Sequence, residues 1–148
     1  MKNLWPDSFK AVDVQRPDAI LVEQAKFLST ITEGLLYAMV ETMSKAEIVT
    51  IHSKLFDFGY KLSIGAKNLD RYKYRVLSMS YGVPIYPCYI MLDQDIFMEL
   101  RRDFGQTLTL TGMSIKVENG ESLVDLLSLV FKSKKVDQVV SSLLTLSK

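Results

Sequence analysis

The residues able to do chemistry in this chain are few. One His, His52, and one Cys, Cys88, occur in 148 residues. His52 is the only imidazole available as a general base, with Glu47 and Asp57 near it in sequence. A base needs a substrate proton within reach and a second group to orient its ring. The apolar run around His52 is instead what a half-exposed strand histidine would show. Cys88 lies among Tyr86, Pro87, Tyr89 and Ile90. Reactive thiolates form in electropositive, partly exposed settings, whereas apolar surroundings raise the thiol pKa. Cys88 therefore reads as a buried structural thiol. A Cys88–His52 dyad across a sheet is the one nucleophilic arrangement left open.

A single His and a single Cys exclude a disulfide framework and a conventional zinc site, which takes three or four such ligands. No metal and no cofactor is expected. Asp93-Gln94-Asp95, with Glu99 after it, resembles a carboxylate cluster, but Asp is an ordinary turn residue and no EF-hand spacing follows. Asp-Phe-Gly occurs at 57–59 and at 103–105. In protein kinases that tripeptide holds Mg²⁺, yet the chain lacks a Gly-rich phosphate loop and a His-Arg-Asp loop. Both tripeptides read as strand ends, with Phe buried and Gly turning. G-x-G-x-x-G, P-loop, G-x-S-x-G and H-E-x-x-H motifs are all missing.

Binding residues are easier to find than catalytic ones. Arg71, Lys73 and Arg75 alternate with Tyr72, Tyr74 and Val76. On a strand this puts the basic set on one face and the aromatic set on the other. A basic outer face suits a protein partner. With Lys67 it also suits nucleic acid, although base stacking and phosphate contact would then fall on opposite faces. Trp5, the only Trp, and Phe9 lie in residues 1–16, which have no sustained hydrophobic period and read as an arm. Two roles fit them: packing at the margin of the chain's own core, or docking to a second chain. Trp is enriched at binding hot spots.

The elements that must position these residues follow from periodicity. Pro17, Asp18 and an apolar stripe from Ile20 to Ile31 predict a helix that Gly34 stops. Residues 35–43 and 47–58 are expected to form a β-hairpin around Ser44-Lys45-Ala46, with a bulge or slipped register in its second strand. Residues 59–70 are expected to be loop, 71–81 a strand, and 85–92 an edge or bulged strand because of Pro87. Residues 93–105 fit a strand or a short helix. Residues 107–111 and 115–117 suggest short strands. Ser122-x-x-Asp125 resembles a capping box, and Ser133 suits the cap of a last helix. A run of strands between helices predicts an α+β fold. It has an N-terminal helix, an antiparallel sheet of about four to six strands, and two C-terminal helices on one sheet face. One domain over residues 17–148 follows the arm.

Length, charge and hydropathy limit what such a domain does. Lys plus Arg total 18 against 17 for Asp plus Glu, so the net charge of +1 is unlike that of a DNA-coating protein. No apolar run approaches the ~18 to 20 residues that cross a bilayer. A cytoplasmic protein without a membrane partner is expected. In layout the chain resembles small bacterial α+β proteins that act by binding, such as toxin-immunity proteins and secretion chaperones, though it lacks the acidity usual in the latter. The resemblance implies a non-catalytic protein-binding module of inhibitor, immunity or chaperone type. Its partner would be another protein, with a homodimer also open. A small enzyme using His52, Tyr74, Arg75 and Cys88 is the alternative, and a nucleic-acid module on Lys67–Arg75 a further one.

Overall fold

The computed structural model describes residues 1–104 and 109–147. The fold is α+β, with an N-terminal helix, a six-stranded antiparallel sheet and C-terminal helices. In chain order the described elements are α1 (Pro17–Ile31), β1 (Leu36–Thr42), α2 (Lys45–His52), β2 (Phe58–Ala66), β3 (Leu69–Tyr81), β4 (Cys88–Leu92), α3 (Gln94–Leu100), β5 (Thr109–Thr111), β6 (Ser114–Val117), α4 (Gly120–Phe131) and α5 (Lys134–Leu146). The strand order is β1-β2-β3-β4-β6-β5. Thr107 and Leu108 of the expected strand at 107–111 lie outside the described residues.

One sheet face carries the core. Leu62, Met79, Cys88, Ile90, Ile115 and Val117 project from it and are at most 2 % exposed. They meet Ile20 and Leu21 of α1, Leu123, Leu126, Leu127 and Val130 of α4, and Val136 and Leu143 of α5. Each fully buried aliphatic side chain contributes ~1.5–3 kcal/mol. The period-2 alternation along the strands therefore fixes the register.

Helix α1 starts at Pro17 and ends before Gly34, whose φ of +81° is the left-handed conformation that glycine adopts without strain. Its start is tied to the sheet. The Tyr81 hydroxyl donates to Asp18 at 2.9 Å, and the Arg16 guanidinium donates at 2.7 Å. Burial works to raise the Asp18 pKa, but those two donors outweigh it and hold the carboxyl below its usual range.

Five expectations need correction. Residues 45–52 are helix α2, because Ser44 and Glu47 close a reciprocal capping box. The Ser44 hydroxyl accepts from the Glu47 amide at 3.2 Å, and the Glu47 carboxylate accepts from the Ser44 amide at 3.1 Å. Residues 59–70 are mostly strand rather than loop. β2 and β3 form one long hairpin, with register shifts at Leu62/Ser63 and Ile64/Ala66. β4 lies between β3 and β6, so it is not an edge; Pro87 falls one residue before its first residue and removes no ladder donor. Asp93 precedes α3 in place of the expected turn. Asn119, not Ser122, caps α4, its side chain accepting from the Ser122 amide at 2.8 Å. Ser133 does cap α5.

The first Asp-Phe-Gly also differs from expectation. Phe58 opens β2 and is 43 % exposed. Gly59 is inside the strand, where α2 crosses the second sheet face. A Cβ there would stand 2.5 Å from Ile48 Cγ1 and 2.9 Å from Met43 Cε. Gly59 is what lets α2 lie flat on β2. In the second tripeptide Phe104 is buried, as expected, and Gly105 lies outside the described residues.

Gly59→Ala should lower stability by about 1–3 kcal/mol through overpacking. Adding Ile48→Ala should recover part of that loss. Urea denaturation of both variants checks this, and an unchanged midpoint for Gly59→Ala would refute the close approach.

Candidate functional site

Three places outside the core could serve a partner or ligand: the arm, the second sheet face and a cleft between helices. On the arm, Trp5 and Phe9 are 75 % and 74 % exposed. Their rings meet edge to face at 6.1 Å, touching each other rather than the core margin. Packing against the domain's own core is thus overturned for both. Residues 1–16 form no helix or strand. The base of the arm is anchored where the Tyr86 hydroxyl donates to the Gln15 carbonyl at 2.7 Å.

The second sheet face is half covered by α2. Strand alternation puts Ser63, Arg75 and Ser78 on this face, opposite Leu62 and Leu77. Arg71, Lys73 and Arg75 are all exposed as expected, but so is Tyr72 at 40 %, so the expected half-buried aromatic face is not formed there. Beside α2 the face forms a cleft of about 390 Å³, lined among others by Ile51, Lys73, Arg75, Ser78, Met91 and Asp93. Lys73 is held by Glu41 at 3.0 Å, and Lys61 by Glu47 at 3.0 Å. Arg75 has no carboxylate partner among the described residues. Tyr74 also lines the cleft and donates to Asp93 at 2.8 Å. Burial, then that carboxylate, raises its pKa. Sequence pattern finds Lys73, Arg75 and, as a separate carboxylate, Asp93, but not that Asp93 joins them; Ile51 and Met91, which also reach the cleft from other segments, it misses.

His52 and Cys88 are not brought together. Cys88 is fully buried in the helix-covered core, where desolvation pushes its thiol up to about 12. His52 is on α2, 9 % exposed, on the other side of the sheet. Its ring meets Phe56 at 6.1 Å, and Phe56 meets Tyr89 at 5.0 Å. Tyr89 and Cys88 are consecutive on β4 and point to opposite faces. The strand position expected for His52 is therefore a buried helix position. Among the described residues neither of its ring nitrogens has a hydrogen-bond partner, nor has the buried Ser80 hydroxyl. Desolvation lowers the His52 pKa to about 4. Among the described residues no three His, Cys, Asp or Glu side chains converge as a metal site would require.

The third place is an apolar cleft of about 500 Å³ between α1 and α5. Phe27, Leu28, Phe131 and Val140 wall it, and Leu62 and Ile64 of β2 form its floor. Phe27 and Ile31 share the helical stripe of α1 with Ile20. Their exposure arises because α5 leaves that end of the stripe uncovered, which no local pattern signals.

Compared with known proteins, the chain matches no family model, no curated protein and no solved structure. Among the described residues no helix is long and apolar enough to cross a membrane.

The burial of His52 gives a pH signature. Its folded pKa of about 4 lies below the unfolded 6.5, so the unfolded chain binds the extra proton between those values. Stability should be full above pH 6.5 and fall as pH drops toward 4. His52→Leu should flatten that window, measured as the urea midpoint at pH 7 and pH 5. An equal slope in both proteins would show that His52 is not the group responsible.

Proposed function

We propose that this chain is a non-catalytic protein-binding module of inhibitor, immunity or chaperone type, acting in the cytoplasm. The observation that carries the reading is the arm: Trp5 and Phe9 stay about three-quarters exposed and take no part in the domain's core. A large aromatic pair left in water costs ~1.5–3 kcal/mol per side chain relative to burial, and that free energy becomes available when a partner covers them. The exposed Arg71 and Arg75 add a basic surface with no carboxylate partner among the described residues. Separation of His52 from Cys88 by the sheet supports a non-catalytic role. A lone buried thiol suits a reducing compartment.

Tagged full-length protein should retain a stoichiometric protein partner from its native lysate. Trp5→Ala with Phe9→Ala should weaken that capture at least about tenfold, as loss of a hot spot does. Arg71→Glu with Arg75→Glu tests the basic strand separately. Recovery of no stoichiometric protein, or equal recovery by every variant, would overturn the reading.

A further inference from the structure

Strand β1 is an edge, and its free hydrogen-bonding groups can be counted. Lys67 donates its amide to the Leu35 carbonyl at 2.9 Å, and Met43 donates to Gly59 at 2.8 Å. These pairs fix the odd-numbered residues of β1 as the ones bonded to β2. The amides and carbonyls of Leu36, Ala38, Val40 and Thr42 therefore point away from the sheet. At Leu36 the Thr32 hydroxyl accepts from the amide at 3.1 Å, while its single proton is shared between the Leu28 carbonyl at 2.8 Å and the Leu36 carbonyl at 3.2 Å. Ala38, Val40 and Thr42 have no such partner among the described residues. A three-residue ladder stands open. It carries no Lys, Pro or bulge of the kind that guards an edge. Among the described residues the opposite edge, β5, spans Thr109–Thr111.

A second feature adjoins this ladder. Between α1 and β1 runs a cleft of about 260 Å³ lined by Val22, Ala25, Lys26, Ser29, Ala38 and Val40. It is mostly apolar, and Lys26 is its one charge. Lys26 has no acidic partner among the described residues, and neither has Asp13 on the arm. The backbone groups of residues 9–13 are likewise without hydrogen bonds among the described residues.

We infer that residues 9–13 of one copy add to the β1 edge of a second copy as an extended antiparallel strand. Setting Ala11 opposite Val40 places Phe9 opposite Thr42 and Asp13 opposite Ala38. Paired residues project to the same face. Phe9, Ala11 and Asp13 then lie on the α1 side, with Asp13 beside Lys26 and Phe9 toward Val22, which is 43 % exposed. All three open ladder residues are satisfied, and two unmatched charges of opposite sign meet.

The occupant is a second copy because a chain's own arm starts on the wrong side. Val14 and Gln15 lie against Tyr86, Asn119 and Gly120, at the start of α4. Helix α1 packs on β1 and α4 packs on β6, so α1 stands between the root of the arm and its own β1 edge. Reciprocal exchange gives a closed two-fold pair. The inference rests on the protein-binding reading and names one partner of the arm.

The full-length chain is measured by sedimentation equilibrium and by amide hydrogen exchange. A dimer is expected, with the Ala38, Val40 and Thr42 amides protected. Lys26→Glu and Asp13→Lys should each weaken it about tenfold. The charge swap Asp13→Lys with Lys26→Asp should restore it. Thr42→Pro removes one outward donor without touching the β1–β2 ladder, and should weaken it as well. A monomer, a dimer indifferent to Lys26→Glu, Asp13→Lys and Thr42→Pro, or a dimer with unprotected β1 amides would overturn the inference. A monomer that still captures a different protein through Trp5 and Phe9 overturns the self-association and leaves the binding reading standing.

Discussion

The structure depends on one constraint: a single face of the sheet carries the apolar core under helices, which cover most of it, and the strands send most of their polar side chains to the other face. Leu62, Met79, Ile90 and Ile115 define that face, and α1, α4 and α5 cover it. The strand period of two then sends Ser63, Arg75, Ser78 and Ser80 to the opposite side. The same alternation separates His52 from Cys88, because Cys88 belongs to the covered face and Tyr89 to the other. The sheet that creates the core thereby divides the only residues that resembled a nucleophilic pair.

What the covered face leaves over is a set of incomplete surfaces. α2 covers half of the second face and leaves a cleft where Lys73, Arg75 and Asp93 meet Met91. α1 and α5 stand apart over β2. β1 keeps three open ladder residues. The arm offers Trp5 and Phe9 to solvent. Open edges and exposed aromatics are unfavourable in a free monomer and favourable in an assembly, which makes binding the reading that accounts for them together.

Much of this order is legible in the residues. Pro17, Gly34 and Ser133 mark helix ends by chemistry that acts within a few residues, and each is where that chemistry puts it. The basic set Arg71, Lys73 and Arg75 is exposed as expected, but the alternation is not kept: Tyr72 is exposed too, and the register shifts between Ile64 and Ala66 opposite this stretch. The errors arose where two local signals compete. Residues 45–52 are rich in β-branched side chains, but the Ser44–Glu47 capping box decides for a helix. Pro87 suggests an edge strand, but its position just before β4 makes it harmless. The clefts were not legible, because Ile51, Met91 and Asp93 are brought together only by how α2, β4 and α3 meet. Exposure of Phe27 depends on where α5 lies, information that is not local to α1.

The central claim is that the arm is a docking element, exposed when the chain is alone and covered when it is assembled. Trp5 is the only tryptophan, so its fluorescence reports the arm without labelling. The measurement is the emission maximum and acrylamide quenching of the full chain, taken from high dilution to high concentration and with a captured partner added. The account predicts water-exposed emission with free quenching at dilution, and a blue shift with protection on assembly. Blue-shifted, protected emission at every dilution would mean that the arm is folded into its own domain. Water-exposed emission under every condition would mean that nothing docks there. Either result would contradict the account.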